Sequence, residues 1–127
     1  MKNYLGFILT HGDLAYSLKN VMAKLMPFEI PFHTYSNNEM ALEYIVNDME
    51  KNYIKTRPEK VIIFIDLMGG SCWHAAMGFK KNHSDCAIVT GANIPGLVSF
   101  ATNFSRLEWP ELLIKIEEDA RKAIKVV

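Results

Sequence analysis

The sequence has few of the features that mark secreted, membrane-bound or nucleic-acid-binding chains. Two of its 127 residues are cysteines, Cys72 and Cys86, with no CxxC pair and no zinc-like spacing. They read as reduced thiols of a cytoplasmic protein and not as a disulfide framework. No apolar run reaches the length of a membrane span. Leu5 to Leu9 is too short for that or for a signal peptide, and the N-terminus lacks a basic start and a cleavage site. Charge of one sign is not in excess: Lys+Arg and Asp+Glu both number 14, against a general role on nucleic acid or a membrane surface. The Gly-x-x-x-x-Gly-Lys-Ser/Thr loop is missing, which argues against direct use of ATP. Ser71 follows two glycines without forming a Gly-x-Ser-x-Gly elbow, so it is no hydrolase nucleophile. Repeats, low-complexity segments and linkers are also missing. With 50% apolar and 22% charged residues, residues 1–127 read as one soluble domain able to bury a core.

What is present begins with Tyr4-Leu5-Gly6-Phe7-Ile8-Leu9-Thr10-His11-Gly12-Asp13. An unbroken apolar run indicates a strand buried on both faces, hence a parallel sheet covered by helices. Leu14, Ala15, Leu18, Val21, Met22 and Leu25 then recur at helical spacing, predicting a helix over Asp13 to Met26. Phe28 to Tyr35 alternates weakly around Pro31 and reads as an edge strand, with His33 solvated. Ser36-Asn37-Asn38-Glu39 reads as a helix start, with the helix running to about Lys55. After the turn Arg57 to Lys60 comes the β-branched run Val61 to Ile65, a central strand ending at Asp66. A short helix, Cys72 to Lys81, reads as interrupted by Gly78, with His83 solvated in the turn beyond it. A third buried strand spans Asp85 to Thr90. Asn93 then caps a helix with Pro95 in its first turn, and Trp109-Pro110-Glu111 opens a last helix.

Strand–helix repeated four times, plus a terminal helix, predicts a three-layer α/β/α fold with a mainly parallel sheet. In a flavodoxin-like strand order of 2-1-3-4, the first and third strands lie side by side at the switch point, where ligands bind. Their carboxyl ends carry His11 and Asp66. Three turns converge on that edge: Thr10-His11-Gly12, Asp66-Leu67-Met68-Gly69-Gly70-Ser71 and Thr90-Gly91-Ala92-Asn93. Their backbone N–H groups and helix N-termini favour an anion. Thr10, Gly12, Gly69, Gly70 and Ser71 are candidate phosphate-binding residues, and Asn93 lines the same edge. A carboxylate on Nδ1 of a neutral imidazole leaves Nε2 free to attack. This combination suits phosphoryl transfer to His11 better than acyl transfer. It calls for no cofactor.

The three motifs together, at this spacing, resemble those of the enzyme IIA domain of the mannose family in the bacterial phosphoenolpyruvate-dependent sugar phosphotransferase system (PTS). The resemblance covers nearly the whole chain. It implies a cytoplasmic phosphotransferase in which His11 accepts a phosphoryl group from the histidine-containing phosphocarrier protein and passes it to a IIB domain. It also implies that Asp66 orients the histidine, that Ser71 lines the phosphate site, and that the domain is a homodimer exchanging a C-terminal strand. Here Ala120, Ala123, Ile124 and Val127 keep helical spacing instead.

Other departures flank the site. Cys72-Trp73-His74 stands where the family has proline, an aromatic residue and asparagine; Met68 and Gly96 also differ from the usual side chains. These changes support, as an alternative, a regulatory phosphohistidine protein of the same family that signals through a partner. A metal site from His11, Asp66, Cys72 and His74 is set aside, because Cys72 and His74, two residues apart at a helix start, diverge around its axis.

Overall fold

In a computed structural model, which describes residues 2–38 and 40–127, the elements alternate as expected. They are β1 (Tyr4–Thr10), α1 (Leu14–Leu25), β2 (Phe32–Ser36), α2 (Leu42–Thr56), β3 (Lys60–Ile65), α3 (Ser71–Lys81), β4 (Cys86–Val89), α4 (Ile94–Asn103) and α5 (Trp109–Lys122). The four strands form one sheet in the order β2-β1-β3-β4, every pair parallel.

The unbroken apolar runs follow from burial on both faces. Leu5, Phe7 and Leu9 of β1 and Val61, Ile63 and Ile65 of β3 join Ile45 and Met49 of α2 and Ala75, Ala76 and Phe79 of α3. The alternate residues Tyr4, Ile8, Ile62 and Phe64 pack with Leu18 and Met22 of α1, Leu97 and Phe100 of α4, and Leu112 and Ile116 of α5. A strand between two helical layers has no solvent side, so its sequence does not alternate.

Several boundaries differ from expectation. Strand β2 starts only after Pro31, because the Phe28 ring turns back to stack on Phe32 with centroids 3.9 Å apart. Ser36 closes β2 and does not start a helix. The Asn38 N–H donates to Ser36 Oγ, a turn in which a hydroxyl competes with regular structure. Helix α2 begins at Leu42 behind Ala41, with no side-chain cap; Glu39 lies outside the described residues. Gly78 does not interrupt α3.

β4 is shorter than expected, and only Cys86 is buried. It is the outer strand, and beside it a cleft of about 440 Å³ opens against α5, lined by Ala87, Val89, Leu113, Ala120 and Ile124. Asn93 caps α4 as expected, accepting from the Gly96 N–H at 2.8 Å. Helix α5 ends at Lys122, so Ile124 and Val127 do not continue the helix, and Ile124, Val126 and Val127 are exposed.

One position in β1 is set by packing. A Cβ at Gly6 would lie 2.4 Å from the Phe32 ring, and that ring is held by Phe28 and Phe100. Gly6→Ala should therefore destabilise the fold by about 1–3 kcal/mol, the usual cost of overpacking. This would appear as a lower urea midpoint with an unchanged slope. An unchanged midpoint would show that the ring moves aside freely.

Candidate functional site

The pairing of Leu9 with Ile65 brings the ends of β1 and β3 level, so the residues just beyond them are neighbours. The His11 backbone N–H donates to Asp66 Oδ2 at 3.0 Å, and His11 Nδ1 lies 3.0 Å from the same oxygen. The other carboxylate oxygen accepts the Leu67 N–H at 3.0 Å. The histidine side chain is 45% exposed and the carboxylate 13%. Burial works to raise the Asp66 carboxyl. The hydrogen bonds from the His11 backbone and ring, the His11 charge and Asp66's own loop backbone outweigh it, holding the group below the ordinary carboxylate range.

With Nδ1 occupied by Asp66, the opposite edge of the ring faces the start of α3. A Cβ on Gly70 would lie 3.5 Å from His11 Cε1 and 3.7 Å from Nε2. Gly70 is the N-cap of α3 and brings no side chain to its cap. The first N–H groups of a helix have no partner within it, so they and the positive end of the helix dipole lie beside Nε2. Gly12 and Gly69 make the flanking turns at φ of +56° and +92°, values that glycine adopts without strain.

Asn37, which the sequence pattern assigned to a helix start, is part of this edge. Its Nδ2 donates to Ser71 Oγ at 2.9 Å, while its buried Oδ1 has no partner among the described residues. The only sequence signal was its place directly after a strand. Two expected site residues are committed elsewhere. Thr10 is fully buried, and its hydroxyl accepts the Ala15 N–H at 2.7 Å, anchoring the first turn of α1. Asn93 uses its carbonyl on Gly96 and its amide on the Ala120 carbonyl, lining the β4–α5 cleft.

Cys72, buried at the start of α3, turns toward the pair: a ring nitrogen of His11, an oxygen of Asp66 and the Cys72 sulfur all lie within 4.8 Å of one another. Burial, and then the Asp66 charge, push its thiol up to about 11 against a weaker lowering contact with Ser71. His74 points to solvent and is outside that cluster.

The remaining histidines are also placed. His33 is half-buried, and burial, with the positive charges of Lys19 and Lys55 outweighing the negative charge of Asp48, lowers its pKa. His83 is not solvated as expected. Its ring packs on Phe79 and Tyr53 with centroids at 4.3 and 4.0 Å, and Nε2 lies 2.9 Å from both Glu50 oxygens. The polar neighbours Lys80 to Asn82 obscured the aromatic residue four positions earlier.

A doubly wound parallel sheet that presents a carboxylate-held histidine at its switch point, facing a helix N-terminus, defines the class of open α/β domains whose ligand sites lie at the carboxyl edge of the sheet. The chain belongs to the family described as the PTS system fructose IIA component, whose model matches residues 7–117. Its fold is similar to that of the PTS IIA protein associated with the fucose utilization operon from Streptococcus pneumoniae, at 21% identity and a TM-score of 0.81, covering 98% of this chain and 93% of that one. The mannose/sorbose-specific IIA subunit from Enterococcus faecalis is similar at 18% identity and a TM-score of 0.81, covering 100% and 96%. A sigma-54 interaction domain protein from Enterococcus faecalis aligns at 13% identity and a TM-score of 0.75, covering 96% and 93%. At these identities the likeness is one of fold. No curated protein sequence matches the chain. Among the described residues, no helix is long and apolar enough to cross a membrane.

The lowered Asp66 carboxyl has a pH consequence. Folding favours its ionised form, so its contribution to stability is complete above the ordinary aspartate value of about 3.9 and is lost as pH falls through the lower folded value. Urea midpoints of wild type and Asp66→Asn should differ at neutral pH and begin to converge as pH falls below about 4, meeting below the folded value. A gap that stayed constant into strong acid would contradict this coupling.

Proposed function

We propose that the chain is a cytoplasmic phosphoryl carrier, acting as one domain, that accepts a phosphoryl group on His11 from the histidine-containing phosphocarrier protein and passes it to a IIB domain or subunit. The observation that carries this reading is the 3.0 Å contact of His11 Nδ1 with Asp66, with the Nε2 edge turned to the start of α3. Nε2 forms the new N–P bond as the donor's N–P bond breaks, and Asp66 holds the Nδ1 proton and stabilises the cationic ring. Phosphoryl transfer passes through a loose transition state, so the protein's part is positioning and charge stabilisation. No lysine or arginine lies in the three motifs, which leaves backbone N–H groups around Gly69, Gly70 and Ser71, and the Ser71 hydroxyl, as donors. Because Asn37 donates to Ser71 Oγ, the hydroxyl proton is left for a phosphoryl oxygen. Gly12 shapes the turn below.

Incubation with phosphoenolpyruvate, enzyme I and the phosphocarrier protein should add one phosphate to the intact mass, and His11→Ala should abolish the gain. Asp66→Ala should keep the fold and slow the transfer by about one to three orders of magnitude, the range for a lost orienting or electrostatic group. NMR should place the phosphate on Nε2; finding it on Nδ1 would remove Asp66 from its role.

A homodimer completed by the C-terminal residues belongs to the same reading. It is supported by the open outer edge of β4, the cleft beside it, and the exposed Ile124, Val126 and Val127. Sedimentation equilibrium should give twice 14.5 kDa, and deleting residues 124–127 should give the monomer. A full-length chain that stays monomeric at micromolar concentration would end this part of the proposal.

A regulatory role is the second reading. It is favoured by the altered Cys72-Trp73-His74 run at the edge of the site, and the fold similarity to a sigma-54 interaction domain protein is in keeping with it. A neighbouring IIB–IIC–IID gene set would favour transport, and its absence regulation.

A further inference from the structure

We propose that His11, Asp66 and Cys72 form a binding site for a thiophilic divalent cation of the zinc type, whose occupation shuts the histidine. Each ligand comes from a different element: His11 follows β1, Asp66 follows β3, and Cys72 lies in the first turn of α3. One donor atom from each falls within 4.8 Å of the other two. Tetrahedral zinc bonded at 2.0–2.3 Å needs donors about 3.3–3.8 Å apart. We assign the ring donor to Nδ1 and the carboxylate donor to Oδ2, which already lie 3.0 Å apart, and with the three donors within 4.8 Å an adjustment of about an ångström brings the sulfur in. The mix of imidazole, carboxylate and thiolate suits zinc and excludes magnesium or calcium, which select all-oxygen sets.

Charge and access also fit. Carboxylate and thiolate together balance a divalent cation. The second Asp66 oxygen stays on the Leu67 N–H, fixing the carboxylate from outside the ligand set. The half-exposed His11 side chain leaves a path for the ion and room for water as fourth ligand. A proline at position 72, usual in the family the chain resembles, would offer no donor.

Binding releases the Cys72 thiol proton to solvent. The neutral ring, ligated through Nδ1, carries its proton on Nε2 and loses the lone pair that attacks phosphorus. Metal and phosphoryl group therefore exclude each other. Inhibition rests on the proposed phosphotransfer; metal binding does not.

The full chain, freed of metal with a chelator, is titrated with zinc by calorimetry and with cobalt by absorption. The expected result is one ion per chain and a thiolate-to-cobalt charge-transfer band. Cys72→Ser should abolish the band and weaken zinc at least about 10–100-fold. His11→Ala should weaken it similarly. Cys86→Ser, which removes the other buried thiol, should leave the band intact, and circular dichroism checks that each variant is folded. The absence of stoichiometric binding, a cobalt spectrum without the thiolate band, or an affinity indifferent to Cys72→Ser would overturn the site.

Phosphate uptake is then measured with and without zinc, each variant against its own zinc-free rate. Strong inhibition of wild type, relieved in Cys72→Ser, supports the shut-off; binding without inhibition overturns it. If zinc binds as described but wild type never takes up phosphate, the phosphoryl-carrier reading fails and the metal site stands. Phosphate uptake without zinc binding is the reverse result.

Discussion

The parallel ladder between β1 and β3 is the constraint on which the site depends. Its register pairs Leu9 with Ile65 and so sets His11 beside Asp66. A slip of one residue would reverse which side chains face each helical layer. The ladder resists such a slip because both faces are buried: Phe7 and Ile63 pack against α2 and α3, while Ile8 and Phe64 pack against α1 and α4. Precision at a partly exposed histidine is thus supplied by residues that never meet solvent.

Asp66 turns that precision into chemistry. Oδ2 meets both the backbone N–H and the ring of His11, and Oδ1 is held by Leu67. The ring is therefore tied to the same oxygen as its own backbone. The hydrogen bonds that offset the burial of the carboxylate also fix which imidazole nitrogen faces outward. In the proposed relay, the phosphoryl group would then sit among backbone dipoles at the start of α3 with no cationic side chain from the motifs. Dipoles hold an anion without the deep trap that a buried arginine would make, which suits a group that must be given up again.

How much of this could be read from the sequence follows from where each signal lies. The β1 and β3 runs and the histidine and carboxylate that end them were legible, because burial on both faces leaves an unbroken apolar run and the strand order then forces the ends together. Boundaries in polar stretches were not. Ser36, Asn37 and Asn38 have the composition of a helix start, yet two of them close a strand and a turn, and Asn37 reaches Ser71, 34 positions away. Thr10 precedes His11 in the motif, and the sequence did not show that strand alternation turns its hydroxyl inward to the Ala15 N–H. His83 lost its identity to the lysines around it, since the packing on Tyr53 crosses from α2. Cys72 and His74 do diverge around α3 as helix geometry requires. What that geometry alone could not show is that the inward one of the two lands on the His11–Asp66 pair.

The two edges of the sheet are finished differently. At β2, Pro31 precedes the strand, Phe28 stacks on Phe32, and Lys19 reaches the Phe32 carbonyl at 2.7 Å. Proline and covering side chains are common means of blunting an edge. At the other edge, β4 reads Cys86-Ala87-Ile88-Val89, with no charge and no proline within it. Its cleft against α5 stands open, and the terminal Ile124, Val126 and Val127 lie in water. A monomer therefore leaves an unpaired edge and an apolar tail exposed at the same time, on a chain whose charge balance of 14 against 14 supplies no net repulsion between copies. Strand pairing satisfies the free N–H and C=O groups of β4, and burial in the cleft removes the apolar tail from water. In the proposed dimer, one contact between two copies would meet both demands at the edge opposite β2.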